Sequence, residues 1–454
     1  MVGFVASGVG VFRLVWKGLS FLPGYRSEAR FTAWFAALAY ALNPNLLYLQ
    51  STAMTEVIYL AAYIWATAYL SEFAIHLLRG DDSRARRALV WCGVCLCLGA
   101  LTRYDGWFAA TCYAIVALVL LIVAGVRTGL EPWHFLFEHE WRRSMLSFFF
   151  LLALTPAIWF TYNALTFDDA LSFARGPYSA RAIEQRTRKV GDPHHPGWNA
   201  PQVGAMYFVK SAELNAGATE RSQRTWLYAA LLGSVMTLGF IRPLRTWLLL
   251  WVPIPFYAIS MAWGGVPIFI PTWWPFSYYN VRYGTQLIPA FVVFGSVLMY
   301  LFLRKFSGAT AKHIVALLAV VFVGLSYYGV WRATPISLKE AQVNAFDRMA
   351  IEKELAAQIE QLPPGSTVLM YIGEHGGALQ KIGFPLKRTI SEGNYRYWQS
   401  ALLDPARMAD YIVATEGDPV SQAIQAHPQG LQSVAVLTAL RQNPITIYRS
   451  TLLR

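Results

Sequence analysis

Apolar runs as long as a bilayer is thick recur along this chain up to residue 332, and nothing else in it restricts the fold as severely. A helix needs about 20 mostly apolar residues to cross the hydrocarbon core, where lipid offers no partner for an open backbone group. By that rule, spans are expected near 2–20, 31–48, 55–78, 87–101, 106–126, 144–164, 226–241, 246–263, 283–303 and 313–332. Composition agrees: 56% of the 454 residues are hydrophobic and 14% charged, with a mean hydropathy of +0.37, which leaves too little polar surface for a soluble domain. The expected fold class is therefore a polytopic α-helical membrane protein of about ten transmembrane helices by the same length rule, covering 1–332. A small α/β domain follows over 333–454.

The formal net charge of +12 does not point to nucleic acid, because the basic residues are spread between apolar runs and form no single face or tail. They carry orientation instead. Lys and Arg in short joints stay on the cytoplasmic side, and PGYRSEAR, RGDDSRARR, GVRTG to EWRR, RPLRT and RKFSGATAK alternate with joints nearly free of basic residues. The map puts 49–55, 102–105, 165–225, 264–282 and everything after 332 on the outer side. It also puts Met1 outside, so an upstream helix and its outer loop are expected before this start.

The ionisable residues of the apolar stretches collect on the outer side. Glu56 opens a helix in MTEVIYL, Arg103 and Asp105 sit between two helices in GALTRYDGW, and Arg282 stands at the mouth of 283–303. Charges at membrane depth are costly and face a cavity, a partner or a substrate, although an Arg103–Asp105 pair could also be a structural clasp. WWPFSYYNVRY, residues 273–283, reads either as an interfacial aromatic belt or as a platform that combines apolar area with polar handles. Arg175, Arg181, Arg186, Arg188 and Lys189 form a basic cluster in the long loop, to be weighed against a plain solvated loop. Cys92, Cys95, Cys97 and Cys112 have no His or carboxylate beside them and read as small packing residues. The adjacent His194 and His195 of DPHHPGW seldom could aim at one centre, and read as loop.

In the tail, FDRMAIEKELAAQIEQLPPGS is a helix stopped by Pro363, Pro364 and Gly365. STVLMYI, ADYIVAT, SVAVLTAL and ITIYRST read as strands. The glycine-rich YIGEHGGALQKIG lacks the GxGxxG order of a dinucleotide site. It reads as a turn, with acceptor contact by Glu374 or His375 as the alternative.

The order NP, MTE opening a helix, LTRYDGW, NVRYGTQLIPAF and then a soluble tail resembles the bacterial GT-C glycosyltransferases, among them the lipid-A aminoarabinose transferases and protein O-mannosyltransferases. The resemblance covers most of the chain. It implies transfer of a sugar from a polyprenyl-phosphate donor to a lipid, glycan or protein acceptor, in a multi-pass protein of the bacterial inner membrane whose active face and C-terminal domain are periplasmic. No nucleic acid is expected, and a divalent cation stays open as cofactor. The family's acidic motif in the first outer loop would precede the first residue here, so a non-catalytic partner, transporter or flippase of lipid-linked sugars is kept as the alternative. Such chemistry needs a carboxylate beside the acceptor hydroxyl and cations beside the departing phosphate. Asp105 and Glu56 are the candidates for the first role. For donor and sugar binding the candidates are Arg103, Tyr104, Arg282, Tyr283, Tyr279, Trp274, Arg175 and Tyr178, the arginines because a guanidinium fork pairs bidentately with phosphate.

Overall fold

A computed structural model describes residues 1–127, 139–187, 191, 193–440 and 442–453, apart from the side chains of residues 127, 139, 140, 186 and 187. The basic-cluster residues Arg188 and Lys189, and the side chain of Arg186, therefore lie outside the described part. The helices are α1 Val2–Leu19, α2 Arg26–Ala41, α3 Pro44–Leu49, α4 Glu56–Leu78, α5 Asp82–Thr102, α6 Asp105–Arg127 and α7 His139–Phe167. After short helices at Ser172–Arg175 and Ala180–Thr187 come α8 Pro201–Ala216, α9 Glu220–Phe240, a 3-10 segment Arg242–Trp251 and α10 Pro253–Trp263. A second 3-10 segment, Val281–Leu287, leads into α11 Ile288–Lys305, followed by α12 Ala309–Arg332 and α13 Ile336–Glu360.

Among the described residues, 8 helical stretches are long and apolar enough to cross a membrane. The expected span 31–48 is not one helix. α2 ends at Ala41, and Asn43 starts α3 by accepting the backbone N–H groups of Asn45 (3.0 Å) and Leu46 (3.1 Å), with Pro44 in the first helical position. The two asparagines also pin α3 to α8, since both side-chain amides donate to the carbonyl of Asn215, at 3.0 and 3.1 Å. Asn215 in turn donates to the carbonyls of Ser211 and Val281 and accepts from the Ser337 hydroxyl. Every member of this knot is buried and bonded, which is what a polar group in a membrane-embedded core requires.

The chain divides into two compact units, Met1–Trp159 with Ala174–Glu340, and Phe160–Phe173 with Ala341–Arg454. The division after Glu340 falls close to the expected boundary at 332, but the second unit also draws in 160–173. Its sheet has the order β2-β1-β3-β5-β4, from Thr389–Ile390, Val368–Met370, Tyr411–Thr415, Ile445–Ser450 and Leu431–Leu437 respectively. β1 runs parallel to β2 and β3, whereas β5 is antiparallel to β3 and β4. Helices α14 Ile372–Ile382, α15 Tyr395–Leu403 and α16 Pro419–Ala426 make the connections.

Two buried groups at the carboxyl ends of β1 and β3 titrate in opposite senses. Burial pushes the His375 imidazole down from 6.5 to about 4, helped by the Arg348 cation. Burial likewise pushes the Asp418 carboxyl up from 3.8 to about 6, against the Ser421 and Thr415 N–H groups it caps. For His375 the unfolded chain binds its proton first, so acidification from pH 6.5 to 4 costs stability. For Asp418 the folded chain binds first, so acidification from pH 6 to 3.8 adds stability. Relative to the unmodified protein, Asp418→Asn should lose amide-exchange protection in β1 and β3 as pH falls through this window, and His375→Gln should gain it. A common slope in both variants would contradict the assignment.

Candidate active site

Four helix ends meet where the sequence places its ionisable residues. α4 begins at Glu56, α5 stops at Thr102, α6 begins at Asp105, and Val281–Leu287 feeds α11. The α5–α6 joint is tight because Gly106 lies against α5: a β-carbon there would sit 2.7 Å from Ala100 Cα. Arg103 is extended at the joint, with φ −153° and ψ 150°, so its side chain leaves the helix axis. Asn280 adopts the left-handed conformation at φ 56°, which asparagine tolerates better than most residues. That turn aims two backbone N–H groups, of Asn280 (2.8 Å) and Arg282 (3.0 Å), at the carboxylate of Glu340.

The carboxylates are buried and the guanidiniums are partly open. Glu56 is 1% exposed; its Oε1 accepts a hydrogen bond from Arg282 Nε and forms an ion pair with Arg103 Nη1, both at 3.1 Å. Asp105 Oδ2 receives Arg103 Nε (3.0 Å), the Tyr257 hydroxyl (3.1 Å) and Gln286 Nε2 (2.6 Å), while Oδ1 receives the Gly106 N–H (3.1 Å). Arg282 Nη1 donates to Glu340 Oε1 at 2.7 Å. The Tyr283 ring lies beneath both cations, 4.8 Å from Arg103 Cζ and 5.0 Å from Arg282 Cζ. Such pairing is what makes buried charge tolerable, because an unpartnered ion would face a desolvation cost of several kcal/mol, roughly.

Three atoms of this network have no hydrogen-bond partner among the described residues, one of them the buried Oε1 of Gln286. Glu56 Oε2 is buried without a hydrogen-bond partner, and Arg282 Nη2 has none either, its bonds being made through Nε and Nη1. Every other carboxylate oxygen of Glu56, Asp105 and Glu340 is engaged. Among the described residues no group of three His, Cys, Asp or Glu is placed to hold a metal.

The structure thus brings together Glu56, Arg103, Asp105, Arg282 and Tyr283. Tyr104 points elsewhere, packing edge-on against Trp107 and Trp159 at 6.2 and 6.1 Å. Tyr279 is exposed and pairs with Phe269 through two backbone hydrogen bonds. Trp274 is exposed, and its carbonyl accepts the Tyr207 hydroxyl at 2.6 Å. Arg175 is exposed and Tyr178 half-buried. Sequence reasoning missed Tyr257, Gln286 and Glu340. Gln286 had a signal, a lone amide in the apolar run YGTQLIPAF; Glu340 had none, since it falls in a helix that reads as the start of the tail.

The seam that carries Arg282 is close-packed. A β-carbon on Gly284 would lie 2.4 Å from the backbone of Ser211 and Ala212 on α8. Gly284→Val is therefore expected to cost about 1–3 kcal/mol, the range for overpacking, and to lower the yield of folded protein. Yield and thermal stability equal to the parent would show that the seam is not needed.

No family model matches the sequence, and no curated protein does. Among solved structures the chain matches the crystal structure of ArnT from Cupriavidus metallidurans in the apo state, with a TM-score of 0.50 and 12% sequence identity, over 98% of this chain and 83% of that one. At that identity the likeness is one of fold: this polytopic helical chain, with its small C-terminal sheet domain, shares the fold of that protein.

Proposed function

We propose that this GT-C-fold chain is a membrane glycosyltransferase that moves a sugar from a polyprenyl-phosphate donor to a hydroxyl-bearing lipid, glycan or protein acceptor, at the periplasmic face of a bacterial inner membrane. The observation that carries the proposal is that two of the unpartnered atoms are of opposite character, a guanidinium N–H on Arg282 and a carboxylate oxygen on Glu56, held in one ion network. Arg282 Nη2 donates to a phosphate oxygen, and Arg103 and Tyr283 hold that guanidinium's surroundings fixed. The acceptor oxygen attacks the anomeric carbon, its proton passes to Glu56 Oε2, and the bond to the polyprenyl phosphate breaks with the electron pair leaving on phosphate oxygen. A carboxylate serves as the base and the cation offsets charge on the leaving group. Asp105, with both oxygens bonded, positions Arg103 and does not take the proton.

The test is turnover: protein reconstituted in vesicles with a polyprenyl-phosphate sugar should release polyprenyl phosphate in the presence of an envelope lipid extract. Absence of release with every donor tried, together with saturable donor binding, would favour the reading as a non-catalytic partner or transporter. One observation favours that second reading, namely that Asp105 and Glu340 satisfy themselves internally. Orientation has its own check. A cysteine at 84, at the far end of α5 from Arg103, should resist an impermeant reagent in whole cells, whereas one at 279 should react.

A further inference from the structure

α8 has two chemically different faces. Phe208, Ser211, Ala212 and Asn215 lie on one: Phe208 stacks on Tyr257 at 4.4 Å, and Ala212 meets Gly284. That face belongs to the ion network. Met206, Val209, Lys210 and Glu213, at the i, i+3, i+4 and i+7 spacing of a single helical stripe, line an open cavity of about 810 Å³ on the other side, bordered also by Gln223 of α9 and by Trp273. Its size is that of a ligand pocket, and α8 stands between it and the network.

The wall chemistry selects a ligand class. Lys210 Nζ donates to Glu213 Oε2 at 2.8 Å and to Gln223 Oε1 at 2.7 Å, and Gln223 Nε2 is fixed on the Gly217 carbonyl at 3.0 Å. That leaves one Nζ hydrogen of Lys210 and Oε1 of Glu213 without a partner among the described residues. A donor and an acceptor side by side match a hydroxyl, which both gives and accepts. An anion fits worse, because a phosphate drawn to Lys210 would meet the Glu213 carboxylate. The other charges on the wall, Arg224 and Glu220, are also paired with each other. Trp273, half-buried with its edge packed on Tyr207 at 5.1 Å, adds an aromatic surface of the kind that covers the apolar face of a sugar ring. Met206 and Val209 continue the wall as apolar surface.

We infer that this cavity is a second ligand site, for an amphiphile with an uncharged, hydroxyl-rich headgroup: the sugar or polyol sits at Lys210 and Glu213 and the chain lies along Met206 and Val209. The inference does not depend on any transfer at Glu56. The probe is a diazirine-bearing octyl β-glucoside, photocrosslinked to the full chain held in amphipol and mapped by peptide mass spectrometry. Labelling is expected within 205–224 or at 272–273, and octyl β-glucoside should compete at about tenfold lower concentration than either glucose or octyl phosphate. Lys210→Met with Glu213→Gln should weaken competition about tenfold. Val209→Trp, which fills the cavity while leaving the ion pair intact, should remove the labelling from a protein that still runs as a single species. Equal or better competition by octyl phosphate, labelling elsewhere, or labelling that survives Val209→Trp would overturn the site.

Discussion

Glu56→Gln is expected to lower sugar transfer by about 10²–10⁴-fold, the usual contribution of a positioned base, while binding of polyprenyl phosphate stays within about threefold. Glutamine keeps the length and shape of the side chain, so an amide oxygen in the place of Oε1 can still face both guanidiniums. What it lacks is an oxygen able to take a proton. Asp105→Asn should behave differently, because everything around Asp105 donates to it: Arg103, Tyr257, Gln286 and the Gly106 N–H. An amide nitrogen placed there meets donors, so folding and the aim of Arg103 suffer first. The two variants therefore separate base from positioning residue. Turnover in Asp105→Asn that falls with donor affinity preserved would move the base to Asp105.

Arg282→Ala carries the second large effect. It strips the Nε contact from Glu56 and the Nη1 contact from Glu340 at once, leaving two buried carboxylates short of a partner. Breaking a buried pair costs about 3–5 kcal/mol, so thermal stability in detergent should fall clearly. Donor affinity should fall by at least about tenfold, since the open Nη2 is lost with the rest. Arg282→Lys should recover part of the stability and little of the affinity, because a single ammonium cannot reach two carboxylates and a phosphate as a planar fork does. Full recovery of donor binding by lysine would mean that only the charge at this position matters.

The convergence of Glu56, Arg103, Asp105 and Arg282 was legible in the sequence because charge is rare in apolar runs and each of these residues stands at a helix mouth on the same side of the topology. Periodicity and length located the long helices for the same reason, since lipid permits few alternatives. The break after Ala41 was harder to see. Asn43 and Pro44 fall inside the stretch read as one span over 31–48, whereas they open a separate short helix whose asparagines bond to α8, a contact across 170 or more residues that no local pattern encodes. Glu340 was missed on similar grounds: its partners are two backbone N–H groups and a guanidinium some 60 residues earlier, brought to it by the left-handed turn at Asn280. Nor did the sequence reveal how the surroundings of the two carboxylates differ. Both stand at helix starts, and only their hydrogen bonds show that one is saturated and the other has an oxygen to spare.

The central claim is that a lipid phosphate engages the open nitrogen of Arg282 beside Glu56. A cryo-electron microscopy structure of the full chain with a polyprenyl phosphate in a nanodisc tests it most directly. The account predicts phosphate density within hydrogen-bond distance, about 2.7–3.2 Å, of Arg282 Nη2, with the isoprenyl chain leading away into lipid and the Glu56 carboxylate next to the space where the sugar would stand. Phosphate bound elsewhere on the protein, with Arg282 still closed on Glu56 and Glu340, would contradict it and leave the network as a structural clasp.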